Sequence, residues 1–355
     1  MDYFRKPAGW YLGISLVMLI ISFMVICKAF PYTGDLPENA PPLVYTVTLI
    51  VAMLAVVIVR YSRYLSLSAV RWSLVAAAVV FAMLPSFFPK MALYAVTADS
   101  DLLAGLLLLS GWVLRGGDNK TSLRDKTLLM TSSIVVTGMS VSHGNLGLVL
   151  VCILLAVLLL GLQQQRLAGL LLLGSTIAFL TVAIAAKPYR LHYVQRILTH
   201  SEPGSPHYLA LQALQSGGLT GSTPTIPTTE SAAQVCIDTA PPFEQLLCQS
   251  NNSEFVFAVI GAWYGLTGIA LLLVSFLLLA VLIIRSVRKT EQQTASLLLG
   301  IWGGAVILLA GLHMLYTIGL FFWPIPLPFF NGSLPVILII CIAVGIMGHI
   351  QQKHA

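Results

Sequence analysis

Long apolar runs separated by short polar breaks make up most of the chain. They fall near 9–30, 43–60, 70–88, 99–115, 127–141, 144–162, 167–186, 254–285, 294–321 and 333–350. Several are close to the roughly 20 residues that an α-helix needs to cross a bilayer. The pattern predicts an all-α polytopic membrane protein, a single integral membrane domain over 1–355 with ten transmembrane helices. The first run follows Arg5 and Lys6. It is too long for a signal peptide, carries Lys28 near its end and lacks a small-x-small cleavage site, so it reads as a retained first helix. The division between 127–141 and 144–162 rests on a turn at Ser142 and His143, followed by Gly144, Asn145 and Gly147. One continuous helix there would invert every later loop.

A single long polar interval, 187–253, breaks this pattern between the seventh and eighth runs. Within it, 206–216 reads as a short amphipathic helix that lies on the outer membrane surface or re-enters the protein. The stretch Ser222-Thr-Pro-Thr-Ile-Pro-Thr-Thr-Glu230 is rich in Thr and Pro and reads as an extended loop. The interval ends at Ser253-Glu254-Phe255, where a long apolar helix is expected to start.

Composition agrees with the pattern. Of the 355 residues, 57% are hydrophobic and 9% charged, against roughly 25% charged in a soluble domain. The charges cluster between apolar runs, because lipid forces each backbone polar group to pair within its own segment. The net charge of +6 is no sign of nucleic-acid binding. With the N-terminus inside, fourteen Lys and Arg fall on the cytoplasmic side, and only Lys28, Lys90, Lys187, Arg190 and Arg196 lie outside. Both termini are then cytoplasmic and the 187–253 loop is extracytoplasmic. It also makes the basic cluster at 187–196 an exception to the positive-inside rule.

Of five cysteines, Cys27, Cys152 and Cys341 lie in apolar runs and read as small core residues. Cys236 and Cys248 lie in the polar interval. If that interval faces the outside, a disulfide between them is the preferred reading, with two free thiols as the alternative.

Few residues are placed to carry chemistry. Lys187, Arg190 and Arg196 at the outer boundary suit phosphate or pyrophosphate headgroups, or they anchor the chain by snorkelling. Glu254 is the only acid at the start of its helix. It is either a helix-start acid of the ordinary stabilising kind or a general base facing an outer cavity, with Ser253 as a cap beside it. His143 with Asn145 reads as a polar turn, and Asp99 with Asp101 as a helix start. His313, inside an apolar run, reads equally as packing glue or as function. No metal-ligand spacing, P-loop or dinucleotide motif is present.

Several segments resemble those of the SEDS family (shape, elongation, division, sporulation), which includes RodA and FtsW. His143-Gly-Asn-Leu-Gly147 is similar to the family's Gln-Pro-Asp-Leu-Gly, with Asn145 in place of the acid. Pro188-Tyr189-Arg190, with Arg196 downstream, resembles its Pro-Tyr-Arg stretch. Tyr208 through Ser216-Gly-Gly-Leu-Thr-Gly221 resembles a Tyr-Gln…Ser-Gly-Gly-Leu-x-Gly run. Ser253-Glu-Phe-Val-Phe-Ala-Val-Ile-Gly261 is similar to Thr-Asp-Phe-Ile-Phe-Ala-Val-Ile-Gly, with Gly265 following. Leu327-Pro-Phe-Phe-Asn-Gly-Ser333 resembles a longer Leu-Pro-x-x-Ser-Tyr-Gly-Gly-Ser.

The resemblance implies a peptidoglycan glycosyltransferase of the bacterial cytoplasmic membrane that polymerises lipid II. Glu254 takes the place of the family's catalytic Asp. Lys187, Arg190, Arg196, Tyr208, Ser216, Gly217 and Gly218 are the implied substrate-binding residues. The implied reaction is direct displacement with inversion at the anomeric carbon and departure of polyprenyl pyrophosphate. The implied partner is a class B penicillin-binding protein. Whether a divalent cation, Mg or Mn, assists is left open. The chain departs from the family at Glu254, at Asn145, at Ala262 and Trp263 where acids are usual, and over 222–252. The alternatives are an O-antigen ligase or polymerase acting on another polyprenyl-pyrophosphate glycan, and a non-catalytic scaffold of a cell-wall synthesis complex.

Overall fold

The computed structural model describes residues 67–87, 99–116, 146–162, 205–222, 255–321, 323–330 and 336–343, with shorter pieces at 13–14, 17–18, 128, 131–133, 135–137, 174 and 346. Among them are six helices: α1 (Leu67–Phe87), α2 (Ser100–Gly116), α3 (Leu146–Leu162), α4 (Pro206–Ser216), α5 (Val256–Lys289) and α6 (Gln293–Thr317). Residues 336–343 are also helical. Each helix falls on an apolar run or on the predicted amphipathic segment. Two of them, α5 and α6, are long and apolar enough to cross a membrane.

α6 is the centre of the described bundle. It packs on α5, α2 and α3 and touches α4, while α1 pairs with α2. α3 is apolar all round, as suits a helix with protein or lipid on every side. Gly105 of α2 lies directly against the Cys152 side chain of α3, so a small residue lets these two helices approach closely. Cys152 and Cys341 are free thiols. One hydrogen-bond chain crosses the bundle: Trp302 Nε1 donates to Ser110 Oγ at 2.9 Å, and Ser110 Oγ donates to the Leu106 carbonyl at 2.9 Å. Arg288 and Lys289 close the last turn of α5 before a three-residue link to α6, the position expected of a cytoplasmic hairpin.

Along α5, Leu271, Val274, Leu277, Val281 and Ile284 remain exposed, with Leu277 64% exposed. That is the surface a bilayer would cover. Three boundaries differ from the apolar pattern. α5 begins at Val256 with Phe255 as a cap that makes no side-chain bond and with no acid in its first turn. Ser253 and Glu254, expected as a cap and a helix-start acid, lie outside the described residues. α5 is also not one straight helix, as the next section describes. α6 stops at Thr317 rather than running to 321, and Gly319 takes a φ of +78° just beyond it. The segment that follows turns inward, with Ile325, Leu327, Phe329 and Phe330 each at most 1% exposed.

Candidate functional site

α4 is positioned by local signals. Ser205 caps it, with its Oγ accepting from Tyr208 N–H at 3.3 Å, and Pro206 stands in the first turn, where no N–H is needed. Leu209, Ala210 and Ala213 are buried on one face, so the helix packs into the bundle against α5 and α6. Its two ends meet two different parts of the α5 N-terminal segment. At the first end the His207 ring stands edge-on to Phe255 (centroids 5.3 Å) and to Tyr316 of α6 (4.8 Å), and Phe255 lies 5.3 Å from Tyr316. At the other end Leu214 packs directly on Gly261.

After α4 the chain makes a compact turn, Gly217–Ser222, that locks onto a break in α5. At Gly265 the backbone takes φ 61° and ψ −159°, a region open essentially only to glycine. In an unbroken helix the Leu266 and Thr267 N–H groups would bond to Ala262 and Trp263. Here Leu266 N–H donates to the Gly218 carbonyl at 2.9 Å and Thr267 N–H to the Leu219 carbonyl at 3.2 Å. The Ala262 carbonyl accepts from Ser222 twice, from N–H at 2.9 Å and from Oγ at 3.0 Å. Thr267 Oγ donates to the Tyr264 carbonyl at 2.7 Å. The turn thus supplies bonds that the break removes, which matters where water cannot.

The fit leaves no room for side chains. A methyl on Gly217 would overlap the Gly261 carbonyl, and one on Gly221, at φ 89°, would overlap the Trp263 carbonyl. The N-terminus of the second half of α5 is occupied by the turn's carbonyls, so it is not an open anion site.

Of the residues singled out from sequence, Tyr208, Ser216, Gly217 and Gly218 come together on α4 and this turn. Tyr208 is half-buried, and Ser216 is exposed with its Oγ donating to the Ala213 carbonyl at 2.8 Å. Gly217 is buried in the packing just described, whereas Gly218, at φ 53°, is exposed with open space beside its Cα. Glu254, Lys187, Arg190, Arg196, Cys236 and Cys248 lie outside the described residues, as do His143 and Asn145. Gly147 of the His-Gly-Asn-Leu-Gly segment packs against Trp323 and Ile325. His313, fully buried, bonds through Nδ1 to the Ile325 carbonyl. A carbonyl only accepts, so Nδ1 carries the proton, and the ring ties α6 to the inward-turning segment.

Sequence reasoning passed over His207, Tyr316 and Ser222. The glycine spacing Gly217, Gly218, Gly221 against Gly261, Gly265 was the one signal that could have pointed to the interlock. Among the described residues no group of three or more His, Cys, Asp or Glu could hold a metal ion.

A family model described as "Cell cycle protein", covering FtsW, RodA and SpoVE, matches residues 10–355. The chain belongs to the SEDS family. SEDS proteins are polytopic membrane proteins, in agreement with the apolar pattern. No curated protein matches the sequence. A solved structure described as showing structural coordination of polymerization and crosslinking by a peptidoglycan synthase complex shares the fold. Its TM-score is 0.69 at 17% identity, over 97% of each chain. Two of the segments that carried the SEDS resemblance, Tyr208–Gly221 and Phe255–Gly265, are in this chain the two halves of one interlocked unit.

Proposed function

We propose that this SEDS protein polymerises lipid II into glycan strands at the outer face of the bacterial cytoplasmic membrane. The observation that carries this reading is the interlock of the Gly217–Ser222 turn with the α5 segment that follows Glu254 in sequence. Family membership over nearly the whole chain supports it, as does a fold shared with a chain of a peptidoglycan synthase complex.

The proposed arrangement has ten membrane spans, both termini in the cytoplasm and the 187–253 loop outside. A lipid-linked acceptor lies in a cavity open to the outer leaflet. Glu254 takes the proton from its sugar hydroxyl. The hydroxyl oxygen bonds to the anomeric carbon of a second lipid-linked glycan, with inversion. The bond from that carbon to the pyrophosphate oxygen breaks, and polyprenyl pyrophosphate leaves with its charge held by Arg190, Arg196 and Lys187. Tyr208, Ser216 and Gly218 would border the sugar chain. A class B penicillin-binding protein would crosslink the product strands.

The test is polymerisation of fluorescent lipid II by the purified protein, with and without Mg or Mn and with and without that partner. Wild type should lengthen strands, and Glu254→Gln should lower the rate at least about 100-fold, the usual contribution of a positioned base. Equal rates in the two proteins would remove Glu254 from the base role. No strands under any of these conditions would count against the activity itself.

A further inference from the structure

Residues Val256–Tyr264 form a short helix in their own right. It is buried at every position up to Trp263 and ends at the Gly265 break. α4 runs beside it in the same direction. His207 meets Phe255 at the leading end, Leu214 and Gly217 meet Gly261 near the trailing end, and Ser222 holds the Ala262 carbonyl from two donors. We propose that α4 and the Gly217–Ser222 turn form a splint that fixes the leading end of this short helix, the end that Glu254 adjoins in sequence, with Ser222 and His207 as positioning residues for glycan transfer.

The inference rests on the proposed polymerase reading and adds residues that take no part in binding the glycan. Its force comes from lever geometry. Nine helical residues span about 13 Å. A pivot of about 5° at the latched end would shift the leading end by about 1 Å, and a misplacement of that size can cost about 100-fold in rate. In sequence Glu254 directly precedes Phe255. A continuous helix would resist such a pivot through its own bonds. The break at Gly265 removes them, and the turn is what replaces them.

A latch of this kind predicts a specific division of effects. Ser222→Ala deletes the hydroxyl donor and keeps the N–H donor, so the short helix is held loosely rather than released. Polymerisation should fall about tenfold in kcat, with KM for fluorescent lipid II unchanged and only a small loss of thermal stability, and Ser222→Thr should restore the rate. Gly221→Ala unseats the turn and should fall further. Hydrogen–deuterium exchange of the full-length protein in detergent gives a readout that needs no turnover. In Ser222→Ala, exchange should rise in peptides spanning 255–264 and stay constant across 293–317. An active wild type with Ser222→Ala equally fast overturns the splint and leaves the polymerase reading standing. A fall in KM and kcat that Thr does not rescue also overturns it. An inactive wild type counts against the polymerase reading, and the exchange result then decides the splint: unchanged exchange at 255–264 ends it, and a local rise supports it.

Discussion

In the proposed mechanism Glu254 acts with basic residues more than fifty positions before it in sequence, which requires the intervening loop to fold back. Arg190→Ala should weaken binding of lipid II, because a guanidinium that grips pyrophosphate in two places has no neutral substitute. A roughly tenfold or greater rise in the dissociation constant, measured with labelled lipid II in detergent, is the expected outcome. Unchanged affinity would leave Arg190 as a boundary anchor. Within the bundle, Ser110 is both acceptor for Trp302 Nε1 and donor to Leu106. Ser110→Ala strands a buried indole N–H, and such bonds between membrane helices contribute about 0.6 to 1.7 kcal/mol. Thermal denaturation in detergent should show a loss of about 1 kcal/mol with little change in polymerisation. At this scale the sequence offers Glu254 and the basic cluster at 187–196 as candidates, in a chain with 9% charged residues. His207 and Tyr316 were not legible, because their meeting joins α4 to α6 across 109 positions, and nothing in local spacing predicts it.

The helices follow the apolar runs because each run is long enough and uniform enough to leave no other way of pairing its backbone. α4 was readable from Ser205, Pro206 and the spacing of Leu209, Ala210 and Ala213. The break in α5 was not. Hydropathy is continuous through Gly265, and glycine is frequent inside membrane helices, so the residue alone does not mark a break. Only the docked turn makes the broken form the stable one, by exchanging helix bonds for bonds to Gly218, Leu219 and Ser222. Gly265→Ala tests this. A side chain at φ 61° and ψ −159° is strained by about 1–3 kcal/mol, and its methyl would meet the backbone of Leu219 and Gly221. The variant should lose at least about 2 kcal/mol of stability and most of its polymerisation, in contrast to Ser110→Ala, which loses stability alone. Equal behaviour of the two variants would mean that the break serves packing and not catalysis.

For the whole molecule, the proposed orientation rests on charge asymmetry rather than on any contact. Fourteen basic residues against five predict that a cysteine at Thr290, in the link between α5 and α6, reacts with a membrane-impermeant maleimide only from the cytoplasmic side. A cysteine at Thr225 in the polar interval should react only from outside. Labelling of intact cells and inverted vesicles distinguishes the two, and reversal of both results would invert the topology. If the polar interval is labelled from outside, a Cys236–Cys248 disulfide is the expected form, detectable as a linked peptide without reductant.

What the sequence determined by itself is the material: a helical membrane protein of the SEDS kind, with its one long polar interval between 187 and 253. Long apolar runs and charge asymmetry act locally and need no knowledge of neighbours. What only the tertiary structure decided is how two glycine-rich segments, separated by the 223–254 stretch, share their backbone hydrogen bonds. Bonds exchanged between distant strands of chain depend on both partners being in place, so neither the break at Gly265 nor the grip of Ser222 is written in either segment alone.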